Sequence, residues 1–311
     1  MSITVLLMQM IKLFALMCLG YLLYKINIID DHTRAHLTKF VLFVTTPALI
    51  IHSFIQNMGN ISKGEMGGLF GIAFAMYAVL AVFSVIIVFI LRIEKKQRGM
   101  YMFMTVFANV GFMGFPVVEA IYGTQGVFYT AIFNCMFNIL VFTVGVFLIN
   151  YGQEDNTDIK SMISLKKLLN PGVLCCIVSV IIFLAGIPVH PVIDELLDNV
   201  GGLTSTLAML LVGSSLAVMN PKELFGDFRI YIYTVVKQLA IPFIMWPLIH
   251  MFAGEGMLAA VTLIMASMPV ANSAVLFATE YGRDEKLACR SVFITTASSM
   301  ATIPFIVSMC L

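Results

Sequence analysis

Long apolar runs, separated by short polar loops, fill almost the whole chain. Each run has about 18–25 residues, the length needed to cross roughly 30 Å of hydrocarbon. The ten runs cover residues 4–24, 36–56, 67–91, 100–122, 125–150, 171–189, 196–218, 230–252, 257–280 and 287–310. This pattern predicts an all-α integral membrane protein with ten transmembrane helices.

The fourth and ninth runs are interrupted near their middle. The fourth run contains Asn109, Gly111, Gly114 and Pro116. The ninth contains Ser267, Pro269, Asn272 and Ser273. Proline removes a backbone donor and clashes with the preceding turn, and glycine weakens a helix. A broken helix is tolerated inside a bilayer only where protein or a wet cavity surrounds it, and two such breaks at matched positions indicate a transporter's binding site. The alternative is a pair of structural helices kinked by proline.

The basic residues of the loops alternate along the chain. Lysines and arginines cluster after odd-numbered runs, as in Lys95–Arg98 and Arg283–Arg290, and the loops after even-numbered runs have almost none beyond Lys63. Basic residues near span ends favour the cytoplasmic side. We therefore expect a multi-pass protein of the cytoplasmic membrane with both termini outside.

The longest polar segment, residues 151–170, divides the chain at its midpoint. It predicts a first five-helix repeat at 1–150, a cytoplasmic connector at 151–170 and a second repeat at 171–311. Because each half has an odd number of spans, the halves have inverted topology. The fourth and ninth runs also both end in Tyr-Gly, at Tyr122-Gly123 and Tyr281-Gly282.

Composition narrows the function further. The chain is 60% hydrophobic and only 11% charged, with a net charge of +1, so we expect a lipid bilayer and no nucleic acid as partner. The six cysteines form no CxxC pair, and no metal site or cofactor is expected. Metalloprotease and nucleotide-binding motifs are absent from the sequence, which argues against an enzyme or a nucleotide-driven pump.

Polar side chains within the runs are candidates for binding. Ionisable residues there are rare and usually face the bundle interior. Lys237 is the strongest of them, as a counter-ion for an anionic substrate or a partner for a carboxylate, and snorkelling to the interface is the alternative. Lys12 could take part in transport, form a structural pair or snorkel, and Glu119 and Glu280 could carry protons or lie at the interfaces. Half-helix N-termini carry partial positive charge, so two opposed breaks suit an anion.

The candidate substrate-binding residues combine the two breaks with polar groups at similar depth. They are Asn109, Gly111, Gly114, Pro116, Pro269, Asn272, Ser273, Lys237, Thr46, Asn134, Asn138 and Ser214. For the asparagines of the fifth run, helix–helix hydrogen bonding is an alternative role.

Four segments resemble the auxin efflux carrier family, which includes bacterial malate and malonate permeases and, more distantly, plant PIN-type carriers. They are GYLLYKINIID into TPALI, ANVGFMGFP, KQLAIP and MPVANSAVLFATEYG. The resemblance implies a ten-span inverted repeat, crossed broken helices four and nine at the substrate site, elevator-like motion and a scaffold dimer. By that likeness, spans one, two, six and seven form the scaffold. The Asn-Pro-Asn type motif of the plant carriers is missing here, so auxin is not the expected substrate.

These observations predict a secondary active transporter, or permease, of a small organic anion such as the dicarboxylates malate and malonate. The coupling ion would be H⁺ or Na⁺. The alternatives are a channel or sensor that does not cycle, and an exporter of another amphipathic metabolite.

Overall fold

The computed structural model of the protein describes residues 3–152, 171–218 and 228–310, and every regular element in these residues is a helix. The first half contains α1 (Ile3–Lys25), α2 (Asp31–Gln56), α3 (Lys63–Ile90), α4 (Lys95–Val106), α5 (Val110–Val141) and α6 (Val144–Ile149). The second half contains α7 (Pro171–Ala185), α8 (Pro191–Gly201), α9 (Leu203–Val218), α10 (Phe228–Ala253), α11 (Met257–Ser267), α12 (Ser273–Glu280) and α13 (Glu285–Cys310). Most of the predicted connector, residues 153–170, lies outside the described residues.

Seven helical segments of the described residues are long and apolar enough to cross a membrane. They are Met8–Lys25, Asp31–Gln56, Lys63–Ile90, Val110–Val141, Pro191–Val218, Phe228–Ala253 and Glu285–Met309. The protein is therefore a multi-pass membrane protein. The remaining predicted spans contain shorter apolar helices, Pro171–Ala185 and Met257–Ser267. The exact count of ten spans stays a prediction, because the breaks divide two of the runs into short helices.

Three helices widen by one π turn just before a proline. The π turns are Val41–Thr45 in α2, Val110–Gly114 in α5 and Val236–Ala240 in α10. Each is followed, two residues on, by Pro47, Pro116 or Pro242. Proline has no N–H and crowds the carbonyl four residues earlier, so a wider turn relieves the clash without ending the helix. Pro116 thus lies within a continuous helix, and the break is upstream of it.

Glycines allow the closest contact between the two halves. A Cβ on Gly213 of α9 would lie 1.8 Å from the Met17 carbonyl oxygen of α1, and one on Gly20 would lie 2.2 Å from the Leu210 carbonyl oxygen. Only glycine fits such an approach of two helix backbones. Gly123 has a different role, because its backbone (φ 60°, ψ −152°) bends α5 where two predicted spans meet.

Candidate functional site

The two interrupted segments meet at their breaks. Between α4 and α5 the chain is non-helical at Phe107–Asn109, and between α11 and α12 it is non-helical at Met268–Asn272. The Asn109 N–H donates to the Pro269 carbonyl at 2.8 Å, and the Ala271 N–H donates to the Phe107 carbonyl at 3.4 Å. Ala108 and Val270 form an antiparallel bridge. Each break therefore satisfies backbone groups of the other, which explains how both persist in an apolar interior.

Neighbouring side chains complete this crossing. The Asn109 side chain, 4% exposed, accepts a hydrogen bond from the Phe112 N–H at 3.2 Å and caps the start of α5. Asn272 is the residue before α12 and makes no side-chain cap bond. The N-terminal ends of α5 and α12, with their partial positive charge, are thus both close to the crossing.

A cavity of about 390 Å³ lies against the crossing. Seven of the twelve predicted site residues line it: Thr46, Asn109, Gly111, Asn134, Asn138, Asn272 and Ser273. Asn138 also donates to the Asn134 carbonyl at 2.8 Å. The rest of the wall is mainly apolar and includes Phe43, Phe112, Phe137 and Phe142. Apart from the Cys175 thiol, no ionisable side chain is among the described residues that line it.

A second hollow adjoins this cavity, and we call it the mouth. It also measures about 390 Å³, and it shares Thr38, Phe112 and Asn272 with the cavity wall. Arg34 and Lys39 line it beside Asp31, and the Arg34 guanidinium lies 3.0 Å from the Asp31 carboxylate. The charged groups of the region are therefore at the entrance, where they remain close to water.

Lys237 lies away from the cavity wall. It is fully buried, and its ammonium donates to the Ala266 carbonyl at 3.1 Å. Ala266 is in the last turn of α11, where free carbonyls carry partial negative charge that favours a cation. The amino group thus stabilises the C-terminal end of α11, the first half of a broken helix, without reaching the cavity wall.

The other four predicted residues also lie off the cavity wall. Gly114 permits packing, since a Cβ there would lie 3.2 Å from the Met265 side chain of α11. Pro116 is buried in α5. Pro269 supplies the carbonyl that binds Asn109. The Ser214 hydroxyl donates to the Leu211 carbonyl within its own helix.

Sequence reasoning missed a polar group on α13 and its partner on α10. The Val270 N–H donates to the Thr295 hydroxyl at 3.1 Å, and the Gln238 amide donates to the Thr295 carbonyl at 2.7 Å. Gln238 in turn accepts from Ser298. Their polarity within apolar helices was the available signal, but it does not reveal which backbone group such a side chain binds.

Two interrupted helices that meet beside a cavity, in a chain of apolar spans, are the arrangement of a membrane transport protein. Comparison with known proteins agrees. Residues 5–307 match the family model described as membrane transport protein, and the chain belongs to this family, that of the auxin efflux carriers. This membership indicates a transporter rather than an enzyme.

Three relatives resemble the chain along nearly its full length. An "uncharacterized transporter" of Methanocaldococcus jannaschii is 24% identical, covering 93% of both chains. One of Methanothermobacter thermautotrophicus is 22% identical, over 94% of this chain and 95% of its own. A Rhizobium meliloti protein named "Putative malonate transporter" is 22% identical, over 93% of this chain and 91% of its own.

Proposed function

We propose that the protein is a secondary active transporter of a small organic anion, and that the cavity at the helix crossing binds this anion. The supporting observation is the convergence of two helix N-termini and four asparagines on one cavity. Asparagine can donate to a carboxylate without burying a fixed charge. The cavity would receive its substrate from the Arg34–Lys39 mouth, where positive charge attracts anions.

Dicarboxylates such as malonate and malate are the first substrates to test. The name of the Rhizobium meliloti relative supports malonate. An amphipathic organic monoanion is the second candidate, and a specific observation favours it. The wall is rich in phenylalanine and lacks lysine and arginine among the described residues, so it suits an apolar body with one carboxylate. A second carboxylate would lose hydration without gaining a cation.

The motion that we propose is alternating access of elevator type, driven by an H⁺ or Na⁺ gradient. The ten-span, 5+5 inverted repeat would supply the two crossed helices, and the antiparallel pairing of Ala108 with Val270 supports this symmetry. Spans one, two, six and seven would form the scaffold and a homodimer contact. The mouth would face the cytoplasm, because basic loops favour that side.

Uptake into proteoliposomes tests the site. Labelled malonate and labelled phenylacetate serve as the dicarboxylate and monoanion probes. We expect Asn109→Ala and Asn272→Ala each to raise KM about 10-fold or more, because a hydrogen bond to a charged group is worth about 1.5–3 kcal/mol. Asn60→Ala, on an exposed loop away from the cavity, is the matched control and should keep the native KM.

Two results would contradict the proposal. Unchanged kinetics in both cavity variants would move the binding site elsewhere. Flux that rises linearly with substrate, without saturation, would instead favour a channel. Preference for malonate over phenylacetate, or the reverse, decides between the two substrate classes.

A further inference from the structure

A cluster of polar side chains closes the face of the protein opposite the cavity mouth. We refer to His52, Asp194, Asp198, Glu119 and Ser205 as the closed-face cluster. On α2 the cavity wall ends at Pro47, and His52 lies about 7 Å further along the helix. In the part of α5 before its bend at Gly123, the last wall residue is Phe112, and Glu119 lies about 10 Å beyond it.

The imidazole of His52 faces two carboxylates of α8. Its Nδ1 lies 2.8 Å from Asp194 Oδ1, and its Nε2 lies 3.5 Å from Asp198 Oδ1. The Gln56 amide donates to the second Asp194 oxygen at 2.7 Å. A neutral imidazole has one N–H, whereas a protonated one has two. Each ring nitrogen of His52 therefore has a carboxylate oxygen nearby, within hydrogen-bond distance at Nδ1 and slightly further away at Nε2.

Glu119 connects this cluster to the broken helix α5. The Ser205 hydroxyl of α9 donates to its carboxylate, and the charges of Asp198 and His52 both act on it. If His52 loses its proton, its attraction for the carboxylates disappears, and the repulsion between Asp198 and Glu119 is no longer offset. The link between α5 and α9 would then weaken.

The surroundings contain few other ionisable groups. Around His52, the packed helix α7 supplies only thiols, Cys175 and Cys176. The packed helix α5 supplies Glu119, Tyr122, Tyr129 and Cys135. Helix α8 adds Glu195, which is exposed. Neither lysine nor arginine occurs on these three helices, so none of them supplies a permanent cation. Asp198 is 67% exposed, which gives protons from that face a path to the cluster.

An aromatic contact beneath the cluster seals the same face. Phe54 of α2 lies 4.4 Å from Phe128 of α5, measured between ring centroids, and Phe183 of α7 lies 5.6 Å from Phe128. Phe54 and Phe128 are fully buried. The rings connect α5 to α2 and α7. The hydrogen bond between Ser205 and Glu119 likewise connects α5 to α9. Opening of this face would have to separate both the aromatic rings and the hydrogen bond between Ser205 and Glu119.

We propose that the closed-face cluster is a proton-binding latch: protonated His52 holds α5 against α2, α8 and α9, and loss of this proton releases the closed face. The inference rests on the alternating access proposed above, since it assigns a proton to one of its two closed states. Acid pH should stabilise closure and alkaline pH should favour opening.

Distances between spin labels test the latch without any substrate. Labels on cysteines at Gln125 of α5 and Asn199 of α8, both exposed, report on this face in a full-length protein whose six native cysteines have been replaced. Between about pH 5.5 and pH 8.5, where an ordinary histidine changes charge, we expect a longer distance population to appear. His52→Gln should show it at both pH values, and Glu119→Gln should show it at neither.

His250→Gln is the matched control. This half-buried histidine lies on α10 with its ring 4.0 Å from Trp246, and its replacement should leave the native pH response intact. A native response in either His52→Gln or Glu119→Gln, or no response in the native chain, would overturn the latch. Failed uptake of malonate and phenylacetate with an intact pH response would refute the proposed substrates alone. Saturable uptake with no pH response would refute the latch alone.

Discussion

At the scale of single residues, burial and pairing decide what a polar side chain does inside this protein. Lys237 and Asn109 were both predicted to bind substrate, and both are buried. Asn109 reaches the cavity wall, whereas Lys237 binds a carbonyl at the end of α11. Both were chosen because polar residues within apolar runs are rare, so the sequence alone does not separate a ligand group from a supporting one.

Lys237→Met tests this distinction. Methionine keeps the length of the side chain and removes the buried charge, so we expect the thermal midpoint to stay or rise. Because Lys237 lies off the cavity wall, KM for uptake should change by less than about 2-fold while the maximal rate falls. Lys12→Met, at an exposed lysine of α1, is the control and should leave both unchanged. A large rise in KM at native rate would instead make Lys237 a substrate ligand.

At the scale of elements, helix packing in the described residues depends on small residues where two backbones approach. The contact between α1 and α9 has glycine on both sides, at Gly20 and Gly213. Since α9 belongs to the second half of the chain and α1 to the first, this contact holds the halves together. In the proposed elevator motion both helices belong to the scaffold.

Gly213→Ala should disrupt this contact. The new methyl group would lie 1.8 Å from the Met17 carbonyl oxygen, and overpacking costs about 1–3 kcal/mol or more. We therefore expect a lower midpoint in thermal unfolding followed by size-exclusion chromatography. Gly68→Ala in α3 is the matched control, because no atom lies within 4 Å of its new Cβ and alanine favours the helix by up to about 1 kcal/mol. Equal midpoints in the two variants would show that the contact between α1 and α9 accommodates the added methyl group without loss of stability.

At the scale of the whole molecule, the cavity lies between the mouth and the closed-face cluster. The mouth is bordered by Arg34 and Lys39, and the opposite face by the closed-face cluster. If basic loops are cytoplasmic, this conformation presents its binding site to the cell interior. The loop charges thus predict not only the orientation of the spans but also the direction in which the cavity faces.

Single cysteines in a cysteine-free background test this orientation. A membrane-impermeant maleimide applied to intact cells should label cysteines placed at Asn60 and Glu255. Cysteines at Ile26 and Asp284 should react only after the membrane is permeabilised. All four positions are exposed. The reverse pattern would show that the protein has the opposite orientation in the membrane. Labelling of the cysteines at positions 60 and 26 from the same side would contradict the predicted spans.

The pattern of apolar and polar residues along the chain is enough to predict the class of the protein and the position of its interruptions. A span of about 20 apolar residues can be recognised without knowing what it packs against. Asn109 and Asn272 stand out because polar residues in such a span are rare. These are local properties of the chain, and each can be recognised within one run. Seven predicted site residues consequently line the cavity.

The contacts between distant groups become visible only in the folded protein. The Asn109 N–H binds the Pro269 carbonyl, Thr295 supports Val270, and His52 faces Asp194 of another helix. The fold also places the Lys237 amino group against α11 and not in the cavity. Such pairings depend on how helices rotate and pack against each other, and hydrophobic periodicity fixes neither the rotation nor the partner of a helix that is apolar on every side.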